Sequence, residues 1–536
     1  MEGSEKRLIL AIALCIVIWM IFAPKESSPQ KAEQSTAEKT AEISKADTNL
    51  STNFAPVAHS AQVSTNDVEK RVTLENKDVS YEVSNNAGQF THIILKRYKK
   101  ELHTNEKVDL ILKDNFHDFF PKVELEVNKQ KVDSDFINGP YSLTQPTPHE
   151  IVLTKTFNKL FVIEKRLNLP ASGFLIDNAY VIKNISPSSL LVNLRLVIPS
   201  EIHEEKKSSF FQPRSDESYG ATIYTNDTYS HTVFKNLKPS EEKSFAGNIS
   251  WIGIDSKYFL TAFVPRVSKF ESLFIRRNED KEVQTVIRYV DTVVEKNTQG
   301  NYSFSLYTGP KEINLLKNVA PNLEKSIDLG SWLGPLARPL LLLLKLIYTY
   351  VRNYGIAIII LTLLARLLLY PISLKQFKSM KAMQRLGPEL AALKKKYKDD
   401  KQRINIETMN LFKRNKVNPM GGCLPMLLQM PIFFALYRVL YNSIELRHAP
   451  FFLWIQDLSA PDPYYISPVL MAIAMFFQQK FTPSATTDPA QAKIMKIMPI
   501  IFSLFMIALP SGLVLYILVS SLASMPQQIY MMRSNK

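Results

Sequence analysis

Apolar positions along this chain change their period several times, and each change marks a different kind of element. After Lys6-Arg7 the run Leu8 to Phe22 is almost continuously apolar, the shape of a signal sequence. Ile21 stands where a peptidase needs a small residue, and Pro24 follows Ala23. Residues 1–23 are therefore expected to be an uncleaved signal-anchor transmembrane helix, its N-terminus inside and the following chain exported. The run is short for a span, so its flanking side chains snorkel. Residues 24–57 are mainly Ser, Thr, Ala, Glu and Lys. They cannot bury enough apolar surface to offset their ordering entropy and read as a flexible tether.

From 58 to 328 the pattern becomes short β-like runs such as Val79 to Val83, Glu150 to Lys155, Leu190 to Ile198, Val283 to Val294 and Tyr302 to Tyr307. They are rich in β-branched and aromatic residues and separated by Asn, Gly, Pro and Asp. This predicts a large antiparallel β-sandwich, exported by the signal anchor. A helical period takes over at 329–352. Leu333, Leu336, Leu340, Leu343, Leu344 and Ile347 form one face; Arg338, Lys345 and Arg352 recur every seven residues on another. The expectation is an amphipathic helix lying at the membrane surface.

Five apolar segments follow, at about 354–374, 420–441, 465–481, 494–509 and 511–527, the last two closed into a hairpin by Pro510-Ser511-Gly512. With the signal anchor they make six transmembrane helices with both termini cytoplasmic. Residues 353–536 are then an α-helical polytopic bundle, interrupted by a helical hairpin at 375–417. In that hairpin Met383, Leu386, Leu390, Leu393 and Tyr397 form one seam, and Ile404, Thr408 and Leu411 the return. Gly387-Pro388 must break or kink its first arm.

Charge sharpens this picture. The chain carries 65 basic and 50 acidic residues, which alone would suit a nucleic-acid binder. Much of the excess, however, sits in 375–417 between apolar segments, where the positive-inside rule places it in the cytoplasm. Lys394, Lys395, Lys396, Lys398, Lys401 and Arg403 offer a surface for ribosomal RNA or acidic partners. Cys15 and Cys423 provide neither metal spacing nor a disulfide framework. No Walker-type loop occurs, and His448 is the one histidine of the membrane half, so no H-E-x-x-H site exists there. The expectation is a protein without covalent chemistry, cofactor or metal.

Arg366 interrupts the apolar run Ile356 to Tyr370, where a central arginine costs about 2.5–3.5 kcal/mol on insertion scales. Thr362 lies one turn earlier on the same face. Tyr516, Ser520, Ser524 and Gln527 form a polar stripe on the last span, and Gln429 lies midway along another. Together they point to a hydrophilic groove open to the cytoplasm and walled by Met430, Phe433 and Phe505. No carboxylate in these spans can neutralise Arg366. A small-solute transporter with Arg366 as its anion site is the first alternative, although paired inverted repeats with broken helices are missing. A periplasmic assembly factor acting through the sandwich is the second.

Particular strings carry a resemblance. Asn418-Pro419-Met420-Gly421-Gly422-Cys423-Leu424-Pro425, Gln429-Met430-Pro431-Ile432-Phe433 and Gly512-Leu513-Val514-Leu515-Tyr516 resemble the YidC family of membrane protein insertases. So do Asp457-Leu458-Ser459-Ala460, Asp462-Pro463-Tyr464-Tyr465 and Tyr307-Thr308-Gly309-Pro310-Lys311. The resemblance implies an inner-membrane insertase and chaperone for nascent membrane proteins, working alone or beside the Sec translocon. It implies contacts with the ribosome through cytoplasmic loops and with the phospholipid bilayer. Arg366, Thr362 and Tyr516 fall on the family's groove positions, and Met430 and Phe433 on its hydrophobic slide. Ser521, where the family commonly has Asn, and Pro526 depart from the family pattern.

Overall fold

The computed structural model describes residues 69–111, 121–202, 219–278, 282–330, 333–397, 400–415, 417, 424–481 and 489–533. The expected signal anchor and tether lie outside them. The described residues belong to one compact unit that begins at Glu69.

Its first half is antiparallel β throughout the described pairings. Nine strands form one sheet, in the order 228–233, 220–225, 249–255, 259–265, 299–310, 175–184, 161–168, 150–157 and 142–147. A second sheet runs 242–246, 270–277, 282–289, 190–201, 122–127 and 130–131, with 292–294 pairing to 190–201. Strands 71–75, 79–84, 90–99 and 107–109 make a third, smaller sheet. Period-two alternation sends one face of each strand inward. Ile151 and Leu153, Ile176 and Tyr180, Val192 and Leu194, and Leu273 and Ile275 are buried in a single core. Phe161, Phe263 and Phe304 are wholly buried there, each contributing about 1.5–3 kcal/mol. Asn226-Asp227, both at positive φ, close the hairpin between 220–225 and 228–233, as two-residue turns require. The run expected from Val283 to Val294 is broken at Val290-Asp291. The Asp291 carboxylate there accepts from Asn193 and Arg288.

One ion cluster is sealed inside the sandwich. Lys311 Nζ donates to Asp255 Oδ2 at 2.6 Å, both side chains buried, and His231 Nε2 stands 3.2 Å from Asp255 Oδ1. Burial opposes charge here. Even so, Lys311 and His231 hold the Asp255 carboxyl below its usual range, and Asp255 outweighs burial to raise His231 above its own.

The second half is helical. Helix α1 (Ile313–Val319) leads to α2 (Gly334–Val351) and α3 (Tyr354–Arg385). Then come α4 (Gly387–Lys396), α5 (Lys401–Arg414), α6 (Leu424–Asn442), α7 (Ile466–Phe481), α8 (Pro489–Met506) and α9 (Ser511–Arg533). Asn353 caps α3 by accepting from Ile356 N, and Asp400 caps α5 by accepting from Arg403 N, each satisfying an otherwise orphan donor. Helix α3 does not stop near 374. Its 32 residues make one helix about 48 Å long, because the basic segment after Pro371 is as helix-permissive as the apolar one before it. The chain breaks before Gly387, and Pro388 opens α4. Leu386, Leu390 and Phe412 are the buried contacts of the hairpin.

By length and apolarity, Gly334–Val351, Tyr354–Pro371 and Ser511–Tyr530 are each able to cross a membrane; Ile466–Phe481 and Lys496–Met506 are shorter apolar helices. Helix α2 buries Ala337, Leu341, Leu344 and Ile347. Lys345, expected on an outer charged face, is instead held between Glu312 and Glu445, 3.0 Å from each. Asp328, just before α2, is bonded to α6 through Arg438 at 2.7 Å and through Asn442 to its carbonyl at 2.6 Å, and Arg447 joins the helical half to the β half at the Lys100 carbonyl, 2.8 Å away.

The sealed cluster has a pH signature. A His whose pKa is raised on folding contributes stability that is complete below its unfolded value of about 6.5 and lost as pH rises through the folded value. The thermal midpoint of the β signal should therefore fall more between about pH 6 and about pH 9 in the wild type than in His231→Gln. Circular dichroism of the solubilised protein measures it; parallel pH curves would refute the coupling.

Candidate functional site

Helices α3, α6 and α9 meet around a small indentation. It is lined by Thr362, Ala365, Arg366, Leu369, Gln429, Ile432, Tyr516 and Ser520. Helical spacing explains the lining. Thr362, Ala365, Arg366 and Leu369 follow i, i+3, i+4, i+7 on α3; Gln429 and Ile432 are one turn apart on α6, as are Tyr516 and Ser520 on α9.

Arg366 is anchored by a neutral group. Its Nε donates to Ser520 Oγ at 2.9 Å and its Nη2 to the same oxygen at 2.5 Å. Gln429 Nε2 also donates to that oxygen, at 3.3 Å. Tyr516 lies beside Gln429 and Ser520 in the same lining. Among the described residues Arg366 has no ion-pair partner. A guanidinium has five N–H donors, so the ones not aimed at Ser520 remain for an incoming acceptor. With one apolar side to each helix, the field of that charge is screened far less than it would be in water.

The five residues expected to line a groove, Arg366, Thr362, Gln429, Tyr516 and Ser520, are thus brought together. Thr362 is there differently from expected: its hydroxyl donates to the Ile358 carbonyl at 2.6 Å, back along its own helix. Ser524 is likewise turned to the Ser521 carbonyl at 2.7 Å. Ala365, Leu369 and Ile432 were not singled out by sequence. They carry no polar signal, and only their spacing from Arg366 and Gln429 could have found them.

The three apolar wall residues sit apart from the lining. Met430 and Phe433 are partly buried against the main core of the unit, while Phe505 on α8 is about half exposed. In the hairpin, Lys395, Lys396 and Arg403 are exposed and Lys394 is half-buried. Lys396 and Arg403 stand over the Tyr397 ring at 5.3 and 5.4 Å. Lys398 and the Lys401 side chain lie outside the described residues. No group of three or more His, Cys, Asp or Glu side chains suited to a metal occurs among the described residues.

The bonding of Arg366 predicts an asymmetric mutational response. Ser520→Ala removes the one acceptor shared by Arg366 and Gln429 and should destabilise the bundle by about 1–2 kcal/mol. Ser524→Ala removes only a local bond and should stay within about 0.5 kcal/mol. Reversible unfolding in mixed micelles measures both; equal effects would refute the assignment.

Residues 346–536 match the family described as 60Kd inner membrane protein, and residues 71–343 match the YidC periplasmic domain. The membrane protein insertase YidC of Syntrophus aciditrophicus is 36% identical, over 98% of this chain and 99% of its own length. That of Geobacter metallireducens is 33% identical, over 99% of this chain and 98% of its own. A crystal structure of an active YidC insertase with its first transmembrane domain resolved covers 87% of this chain and 93% of its own, at 19% identity and a TM-score of 0.38. The β-rich domain is therefore the periplasmic one and the helical half is an inner-membrane element: the chain belongs to the YidC family of membrane protein insertases.

Proposed function

We propose that this chain inserts nascent membrane proteins through the indentation around Arg366, which serves as a hydrophilic groove open to the cytoplasm. The observation that carries the reading is a guanidinium among apolar helices, bonded to a neutral hydroxyl and to no carboxylate among the described residues. A short hydrophilic stretch of the client enters and accepts hydrogen bonds from Arg366. Thr362, Gln429, Tyr516 and Ser520 keep the pocket polar around it. The adjoining apolar segment passes into lipid along a slide formed by Met430, Phe433 and Phe505.

Hydrophobic transfer supplies the drive at about 0.8 kcal/mol per buried CH₂, so no nucleotide is consumed. A thin barrier helps the polar part across. Helix α7, with 16 residues, is about 24 Å long, against about 30 Å for a hydrocarbon core.

The same reading assigns six transmembrane helices with both termini cytoplasmic, the first within residues 1–23. The hairpin of α4 and α5 then faces the cytoplasm, as its excess of Lys and Arg favours. There Lys394, Lys395, Lys396, Lys398, Lys401 and Arg403 meet the ribosome. Helix α2 lies along the outer membrane surface, tied down where Lys345 joins Glu312 and Glu445. The protein works alone or beside the Sec translocon, and also chaperones its clients.

A groove that carries polar chain across a thin barrier discriminates by what must cross. A client with a short uncharged translocated tail should insert more efficiently than the same client with a long charged one. Protease protection in proteoliposomes reads the ratio; equal protection of the two tails contradicts the reading.

A further inference from the structure

Residues 449–466 lead from α6 into the first residue of α7 and carry the Asp457 and Asp462 strings. The segment is irregular but internally complete. Asp457 Oδ1 accepts from His448 N at 3.1 Å, Ser459 N at 2.8 Å and Ser459 Oγ at 2.7 Å. Asp462 accepts from Tyr464 N at 3.0 Å, Ser467 N at 2.7 Å and Trp454 Nε1 at 3.2 Å. Ile455 and Leu458 point into the core.

The segment is also stapled to the starts of two helices. Asn353, at the start of α3, donates to the Phe451 carbonyl at 2.9 Å. A Cβ on Gly355 would stand 1.9 Å from the Phe451 ring, so only glycine permits that approach. On α9, Ser511 N reaches the Ala460 carbonyl at 2.8 Å and Gly512 N the Leu458 carbonyl at 3.0 Å.

What this rigid segment presents outward is apolar. Phe452 is 68% exposed, Leu453 64%, Tyr464 67% and Tyr465 53%. Asp457 and Asp462 are the only charges in 449–466, and both are spent on the internal bonds above. An ordered loop that turns its carboxylates inward and its large apolar side chains outward is badly matched to water. It is well matched to a membrane interface, where backbone groups must be satisfied internally and aromatic rings sit at headgroup depth. The exposed face is continuous with lipid-facing helix surface: Tyr465 runs directly into Ile466, Val469, Ile473 and Phe476 of α7, all exposed.

We propose that residues 450–466 are a bilayer anchor, inserting Phe452, Leu453, Tyr464 and Tyr465 into the headgroup and upper acyl region of the periplasmic leaflet. The anchor fixes the depth of α3, α7 and α9, whose N-terminal ends it holds. It rests on the proposed topology for the side of the membrane involved.

The test places a nitroxide at Leu453→Cys and, separately, at Tyr464→Cys, in the full chain with Cys15→Ser and Cys423→Ser. The protein is reconstituted in phosphatidylethanolamine–phosphatidylglycerol vesicles. Val267→Cys is the control, because Val267 is 76% exposed but lies on the sandwich. Power saturation with oxygen and with a water-soluble nickel chelate reads the environment. The anchor predicts that oxygen collisions exceed nickel collisions at 453 and 464, and the reverse at 267. Nickel access at 453 and 464 matching that at 267 overturns the proposal, as does exclusion of both reagents, which would mean a covering protein surface. The measurement needs no client, so its failure leaves the groove reading standing, and loss of insertion by a groove variant leaves the anchor standing.

Discussion

A single positive charge placed among apolar helices without a countercharge sets the terms for the membrane half of this protein. Arg366 cannot be neutralised by its own spans, which contain no carboxylate, and cannot shed its proton as a lysine might. The chain has to provide neutral acceptors instead. Ser520 on α9 does so, its Oγ accepting from Arg366 and also from Gln429 of α6. The three helices meet there around a polar indentation.

The sandwich treats buried charge in the opposite way. There Lys311 and Asp255 are sealed together and His231 completes the cluster, so breaking the set leaves an uncompensated ion and is costly. Lys345, where the two halves meet, is likewise paired twice. Charges that hold the structure together are saturated by partners. The charge at the indentation is left with donors to spare, as a site for a transient guest needs. The aspartates of the segment between α6 and α7 are likewise taken up, by backbone N–H groups of His448, Ser459, Tyr464 and Ser467.

Much of this was legible in the sequence because local periodicity reports which face is buried. Richness in β-branched and aromatic residues between turn formers marked Glu150 to Lys155 and Tyr302 to Tyr307 as strands, and i, i+4 spacing aligned Thr362 with Arg366 and Tyr516 with Ser520. Periodicity fails where a distant partner decides. Lys345 reads as an outer charge until Glu312 and Glu445 arrive from either side in the chain. The hydroxyl of Thr362 reads as groove lining until its own helix claims it. The charge switch near Lys375 marks a change of surroundings, which is why α3 runs on to Arg385 regardless. Ala365, Leu369 and Ile432 carry no chemistry of their own and are visible only once the helices have met.

The central claim is that the unpaired charge does the work, and one reconstitution tests it. Proteoliposomes containing only this protein, without nucleotide, are given a small single-span client, and insertion is compared between wild type and Arg366→Ala. The account predicts insertion by the wild type and its loss in the variant, with the variant folded as judged by its circular dichroism. Undiminished insertion by folded Arg366→Ala would contradict it.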